Sequence, residues 1–218
     1  MGKSKRGLFN FLRLPIELLL MVSSTCVIKD YIGTYYCSTM EGEKKRGVTD
    51  LYNTLGGRIY DLRYAKEQGS KYDALLNKLP PDPDGTVLDV GCGTGLLAKR
   101  FKSGIVGLDV STALIFKALS RLKSNGSNHL ILGDAEALPF RDSSIDRVYS
   151  VTLLQNLPNP SLALLEMKRV GRERAGVTSL KKVFTEKSFR TLLKMSDFSS
   201  FVILHSHGLN DWVAIIDL

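Results

Sequence analysis

The chain has 218 residues, 44% of them apolar and 24% charged, with 7 prolines and 19 glycines. This composition excludes collagen-like, disulfide-framework and wholly disordered chains, and the length suits one domain of ordinary compactness. The formal net charge of +8 is uneven: residues 1–46 hold eight Lys/Arg against four Asp/Glu, residues 167–194 nine against two, and the remainder thirteen against sixteen. Two basic stretches around a mildly acidic middle fit either an anionic partner or a solvated face.

Taken in chain order, the first segment imitates a signal peptide, because Lys3, Lys5 and Arg6 precede an apolar stretch from Leu14 to Ile28. Arg13, Pro15 and Glu17 interrupt it, and the uncharged run from Leu18 to Ile28 is too short to span a bilayer of about 30 Å. Three readings stand: a membrane-surface anchor, a packed or disordered extension, or residues upstream of a native start at Met40. Cys26, Cys37 and Cys92 form no CxxC pair, which fits a reducing, cytoplasmic setting rather than a disulfide scaffold or a zinc site. The expected division is an extension over 1–46, disordered or outside the native protein, and one domain over 47–218.

From Val48 the pattern changes. Leu51, Leu55, Ile59 and Leu62 recur at helical spacing with a weak point at Gly56-Gly57, and a second helical segment runs from Tyr64 to Leu79 until Pro80-Pro81 ends it. Thr86–Val90 reads as a buried strand, Leu96–Phe101 as a helix, Gly104–Asp109 as a strand and Ala113–Lys123 as a helix. Leu130–Gly133 and Arg147–Val151 read as strands and Pro160–Val170 as a helix. After Val177–Val183 and a helix over Glu186–Met195, the apolar runs Phe201–His205 and Trp212–Ile216 lie close enough for an antiparallel hairpin. The alternation implies an α/β fold with a doubly wound, mostly parallel sheet.

The densest chemical signal is Asp89-Val90-Gly91-Cys92-Gly93-Thr94-Gly95, a glycine-rich turn between a strand and a helix. Such a turn lets the backbone approach a ligand closely. Its spacing is G-x-G-x-G with an acid two positions ahead, unlike the G-x-G-x-x-G of dinucleotide folds.

This turn resembles the first motif of the class I S-adenosylmethionine-dependent methyltransferases, matched by Asp89, Gly91, Gly93 and Gly95, with Cys92 inside it. The resemblance continues over about residues 50–218. It implies a seven-stranded sheet with one antiparallel strand near the edge, and S-adenosylmethionine as cofactor. It also implies that Asp109, at the end of the second strand, takes both ribose hydroxyls, with Val110 beside it in the cofactor site. Asp134 and Ala135, at the end of the third, would meet adenine, and Thr152 follows the fourth. A carboxylate accepts both hydroxyls of a ribose, or the adenine amino group, in charge-assisted hydrogen bonds. Asp89 would sit nearest the cofactor's ammonium.

The acceptor is less legible. Thr152-Leu153-Leu154-Gln155-Asn156-Leu157-Pro158 lies where such folds put substrate-facing groups, but Leu157 stands in place of the first proline of the Asn/Asp-Pro-Pro-aromatic motif of amine and amide methylating enzymes. The resemblance allows a small zinc-binding activator subunit. The basic 167–194 stretch favours RNA, either tRNA or rRNA, as substrate. The motif style Glu136-Ala137-Leu138-Pro139-Phe140 favours a quinone-like or lipophilic small molecule, and the incomplete motif at 152–158 permits an inactive cofactor-binding scaffold. His205 and His207 lack a third metal ligand, Tyr60 and Tyr64 suit either a lid or core packing, and no catalytic base is assigned.

Overall fold

The computed structural model describes residues 26–27, 34–37, 43–123, 127–205 and 208–218. Their elements are β1 (Cys26–Val27), β2 (Thr34–Cys37), α1 (Glu43–Leu76), β3 (Val87–Val90), β4 (Val106–Asp109), α2 (Thr112–Leu122), β5 (His129–Leu132) and β6 (Ile145–Ser150). There follow α3 (Pro160–Val170), β7 (Gly171–Leu180), α4 (Glu186–Met195), β8 (Phe201–Leu204) and β9 (Asp211–Asp217). No helix among the described residues is long and apolar enough to cross a membrane.

The strands form one sheet in the order β1-β2-β5-β4-β3-β6-β7-β9-β8. Seven of them, β5 to β8 in that order, are the expected α/β sheet. β5, β4, β3, β6 and β7 run parallel, and β9 is inserted antiparallel between β7 and β8. β2 extends the sheet beyond β5 in parallel register, and β1 pairs antiparallel with β2. The 1–46 stretch thus reaches the edge of the sheet through these two short strands.

β3 and β4 are buried along their whole length, as strands covered on both faces must be. One layer packs Leu88, Val90, Ile131 and Val148 with Met167 and Phe189 from the helices. The other packs Val87, Phe101 and Tyr149 with Tyr72, Leu75 and Leu79 at the end of α1 and beyond it. The Tyr149 hydroxyl donates to the Leu79 carbonyl (3.0 Å), satisfying the one polar atom in that layer's largest side chain.

Three local expectations differ from the structure. α1 is continuous through Gly56-Gly57, and its apolar spacing does not face the core: Leu51 and Leu62 are 62% and 80% exposed. A helix of that length runs about 50 Å, and its fully buried positions begin only at Gln68, with the described positions before it half-buried or exposed. The helix expected at Leu96–Phe101 is a single 3-10 turn over Leu97–Arg100, because Phe101 is already extended and Gly104 begins the next strand's approach. β7 starts at Gly171 directly after α3, earlier than Val177, and so takes Arg172 and Arg174 into the sheet.

Candidate functional site

The chain leaves β3 toward β4 and β5 on one side, and β6 leads to β7 on the other, so the sheet's switch point lies between β3 and β6. Ligands of open α/β sheets bind outside the carboxyl ends of the strands at such a point. Gly91 follows β3 there, and Val151 and Thr152 follow β6.

Gly91, Gly93 and Gly95 all have positive φ (78°, 54° and 72°), the left-handed region that glycine enters without penalty. At Gly91 space adds to conformation: a Cβ would lie 2.9 Å from the Leu153 side chain. At Gly95 a Cβ would meet Leu122 and Ala118 of α2 at 3.0 and 3.2 Å, so this glycine serves helix packing. The turn is then cross-tied to β4, with the Gly91 and Cys92 N–H groups both donating to the Leu108 carbonyl (2.8 and 2.9 Å).

Asp109 ends β4 with its carboxylate already oriented: the Gly93 N–H donates to one oxygen (2.8 Å) and the Ser111 N–H to the other (2.9 Å). Each oxygen keeps lone pairs for a ligand. Burial raises its pKa, opposed by those backbone donors. Asp134 is buried just beyond β5, and its Oδ1 accepts from the Glu136 N–H (2.9 Å), an Asx turn that fixes the side chain. Asp89 is buried beneath the glycine turn, and desolvation, with the nearby Asp109 charge adding to it, pushes its carboxyl up to about 8. Burial likewise pushes the Cys92 thiol well above its usual range.

Two adjoining hollows of about 50 and 60 Å³ form a crevice here, sharing Gly91, Asp109, Val110, Leu153, Asn156 and Leu157. Of the residues singled out in the sequence, Gly91, Gly93, Asp109, Val110, Asp134, Ala135 and Thr152 line it. Asp89, Cys92 and Gly95 are not part of that lining. α1 covers the crevice with Val48 and Tyr52. Its Asn53 reaches α2, where Asn53 Oδ1 accepts from the Ser111 hydroxyl (2.7 Å) and the Ala113 N–H (3.1 Å). Farther along, Arg121 of α2 pairs with Asp61, and the Thr94 hydroxyl donates to Asp61 (2.6 Å). Burial raises the pKa of Tyr52, keeping its phenol neutral.

A larger cleft of about 220 Å³ opens beside the crevice and shares Tyr52, Thr152 and Asn156 with it. Its inner wall holds a buried charge cluster that no local sequence pattern brings together. Lys71, 1% exposed, pairs with Asp211 (2.9 Å, fully buried) and Glu67 (2.9 Å), and donates to the Thr152 hydroxyl (3.0 Å). Thr152 in turn donates through its hydroxyl to Asp211 (2.9 Å) and through its N–H to the Thr178 hydroxyl (2.9 Å). Its φ of 59° puts a β-branched residue in the left-handed region, which persists only where surrounding bonds over-determine it.

The basic stretch is largely spent inside the molecule. Lys168 pairs with Asp197 (2.5 Å), Arg169 with Asp142 and Glu166 (both 2.7 Å), Arg172 with Asp146 (2.5 Å), Arg174 with Asp217 (3.1 Å) and Arg190 with Glu186 (3.2 Å). Lys181 donates to the Leu209 carbonyl (2.8 Å) and lies 5.0 Å over the Trp212 ring. Among the described residues the expected free cationic face is therefore reduced to Lys182, Lys187 and Lys194. His205 stands edge-on to Trp212, while His207 and the Tyr60 side chain lie outside the described residues.

The residues fit an adenosyl cofactor: acids end three successive parallel strands, and a cradle that a Cβ would obstruct lies between them. A family model described as "Methyltransferase domain" matches residues 88–176. Malonyl-[acyl-carrier protein] O-methyltransferase of Erwinia pyrifoliae is 37% identical over 112 residues, half of this chain and 41% of that protein. The chain thus spans less than half the length of that relative. Ubiquinone/menaquinone biosynthesis C-methyltransferase of Burkholderia mallei is 34% identical over 175 residues, 75% of this chain and 70% of that protein. Magnesium protoporphyrin IX methyltransferase from Synechocystis, solved with S-adenosylmethionine, shares the fold at a TM-score of 0.61 and 17% identity, over 83% of this chain and 99% of that one. Site geometry, the matched domain and the Burkholderia relative agree: the chain belongs to the class I S-adenosylmethionine-dependent methyltransferase family.

Proposed function

We propose that this chain transfers a methyl group from S-adenosylmethionine to a small-molecule acceptor. In this reading Asp109 accepts from the ribose hydroxyls, Asp134 and the backbone at Ala135 meet the adenine, and Asp89 balances the ammonium from beneath the glycine turn. The bound cofactor supplies a methyl group on a sulfonium, an electrophile with a good leaving group. The chain's own work is then positioning, and aligned reactants gain the equivalent of about 7–11 kcal/mol. Thr152 and Asn156, on both the crevice and the cleft, stand where cofactor and acceptor would meet.

The observation that carries the small-molecule reading is the cleft itself: a polar hollow of about 220 Å³ directly beside the cofactor crevice. The names of the relatives support it, one for a quinone pathway and one for an acyl carrier. RNA loses its main support because most cations of residues 167–194 are paired internally. A cytoplasmic setting and a small zinc-binding activator remain parts of the proposal, the latter to be sought by co-purification from the native host.

Transfer of tritiated methyl to total small-molecule, lipid, protein and RNA extracts tests the reading. Label in the small-molecule or lipid fraction is the expected result. Label confined to RNA or protein would overturn the acceptor class, and no label anywhere would favour an inactive scaffold.

A further inference from the structure

The outer face of α1 is apolar and, among the described residues, uncovered. Leu51, Ile59 and Leu62 are 62%, 45% and 80% exposed, and Leu55 between them is half-buried. At about 100° per residue these four positions fall in one stripe about 80° wide and about 16 Å long. Val48 lies in the same stripe one turn earlier and lines the cofactor crevice, so the stripe starts at the crevice mouth and runs outward. Apolar residues scattered singly on a surface are ordinary, whereas a contiguous stripe rimmed by polar residues marks an interaction surface.

The charges around the stripe select among partners. Residues 43–66 hold six Lys/Arg against three Asp/Glu. The positions of Lys44, Lys45, Arg58, Arg63 and Lys66 all fall within about 80° of the stripe's midline, whereas those of Glu43, Asp50 and Asp61 fall about 120–140° away from it. Asp61 is also spent on Arg121 and Thr94. An apolar stripe bordered by cations, with the acids on the far side, suits the boundary between headgroups and acyl chains of an anionic bilayer. A second copy of the chain, paired about a two-fold axis, would set the same cations against each other. RNA would answer the cations but leave the leucines in water.

The edge strands bring a second segment of similar chemistry to this end of the sheet. Cys26 pairs with Cys37, where β2 ends shortly before α1 begins, so the chain enters β1 at the end from which α1 departs. The sequence before Cys26 carries Lys3, Lys5, Arg6 and Arg13 ahead of the uncharged run that starts at Leu18. From this convergence we infer that α1 docks through its outer stripe onto an anionic phospholipid surface, lying in the interface with the crevice mouth turned to the lipid. The inference goes beyond the small-molecule reading and stands independently of it.

The test is co-sedimentation of the full chain with vesicles of phosphatidylcholine alone or with one-third phosphatidylglycerol. The anionic vesicles should bind at least tenfold more tightly than the neutral ones, and the preference should fade as salt is raised from about 0.1 M to about 1 M, where the screening length falls from about 10 Å to about 3 Å. The double variant Leu51→Ser with Leu62→Ser should lose at least tenfold on anionic vesicles, with its urea midpoint and S-adenosylhomocysteine affinity unchanged because both positions are exposed. Lys44→Gln with Lys45→Gln should lose at least fivefold, which guards against a folding defect in the leucine variant. No binding to anionic vesicles, equal binding to both compositions, or full affinity in either variant would overturn the inference, the last by assigning the lipid contact to residues outside the stripe. S-adenosylhomocysteine is titrated separately without vesicles: failure there removes the methyltransferase reading and leaves the docking surface standing, whereas failure only with vesicles removes the surface alone.

Discussion

If Asp89 balances the cofactor's ammonium as proposed, its burial makes cofactor binding a proton-coupled event. A carboxyl near pKa 8 is protonated and neutral at pH 7. An ammonium arriving beside it favours the ionised form, the pKa falls, and a proton leaves for the buffer. Calorimetry of S-adenosylmethionine binding at pH 7, in buffers of different ionisation enthalpy, should show release approaching one proton by the native chain and none by Asp89→Asn. Heats independent of the buffer in the native chain would rule this out. In the proposed cofactor pose Asp109 accepts the two ribose hydroxyls. Its replacement by alanine removes two charge-assisted bonds, and an affinity loss of about a hundredfold, equivalent to about 3 kcal/mol, is expected in the same experiment. Undiminished binding would separate Asp109 from the cofactor.

At the scale of elements, the docking of α1 depends on the Lys71 and Asp211 pair between the helix and β9. Lys71→Met leaves the fully buried Asp211 without its cation, and removal of one partner of a buried pair costs about 3–5 kcal/mol. The double variant Lys71→Met with Asp211→Asn removes the stranded charge as well and should recover part of that loss. Urea unfolding midpoints measure both, and equal losses would mean that Asp211 is satisfied by Thr152 and Thr178 alone. This pair also marks the limit of what the sequence discloses. The β-branched runs and glycine turn announce the central strands and place Asp89, Asp109 and Asp134 at their ends, because those signals are local. Lys71 carries no such signal: a lysine at helical spacing from Gln68 and Leu75 reads as a solvated residue until β9 brings Asp211 beneath it. The 3-10 turn after the glycines was likewise masked, since Leu96–Phe101 has helical residues but too few positions before Gly104 to complete an α-helix.

For the whole molecule, net charge proves a poor guide to partners because it ignores how charges are spent. Residues 167–194 are strongly basic as a string, yet the turn before β6, β6 itself, α3 and β9 bring Asp142, Asp146, Glu166 and Asp217 against them. Exposed pairs of this kind contribute only about 0–1 kcal/mol each to stability, but they cancel the local field that would attract a polyanion. In filter binding with total tRNA at physiological salt, the chain should show no more than the non-specific affinity of about 10⁻⁴ to 10⁻⁶ M. Neutralising Arg172 and Arg174 should leave that value unchanged within about threefold. Submicromolar, sequence-dependent retention of tRNA would restore RNA as the acceptor.

The burial of Lys71 has one more use, as a chemical clock. Amine-reactive acylating reagents modify accessible lysines within minutes, but an ammonium 1% exposed and held by three oxygens is protected until α1 lifts away. The rate at which mass spectrometry finds the Lys71 peptide acylated therefore reports how often the helix undocks. Because α1 also roofs the crevice through Val48 and Tyr52, that rate should fall when S-adenosylhomocysteine is bound, while acylation of Lys187 and Lys194 proceeds unchanged.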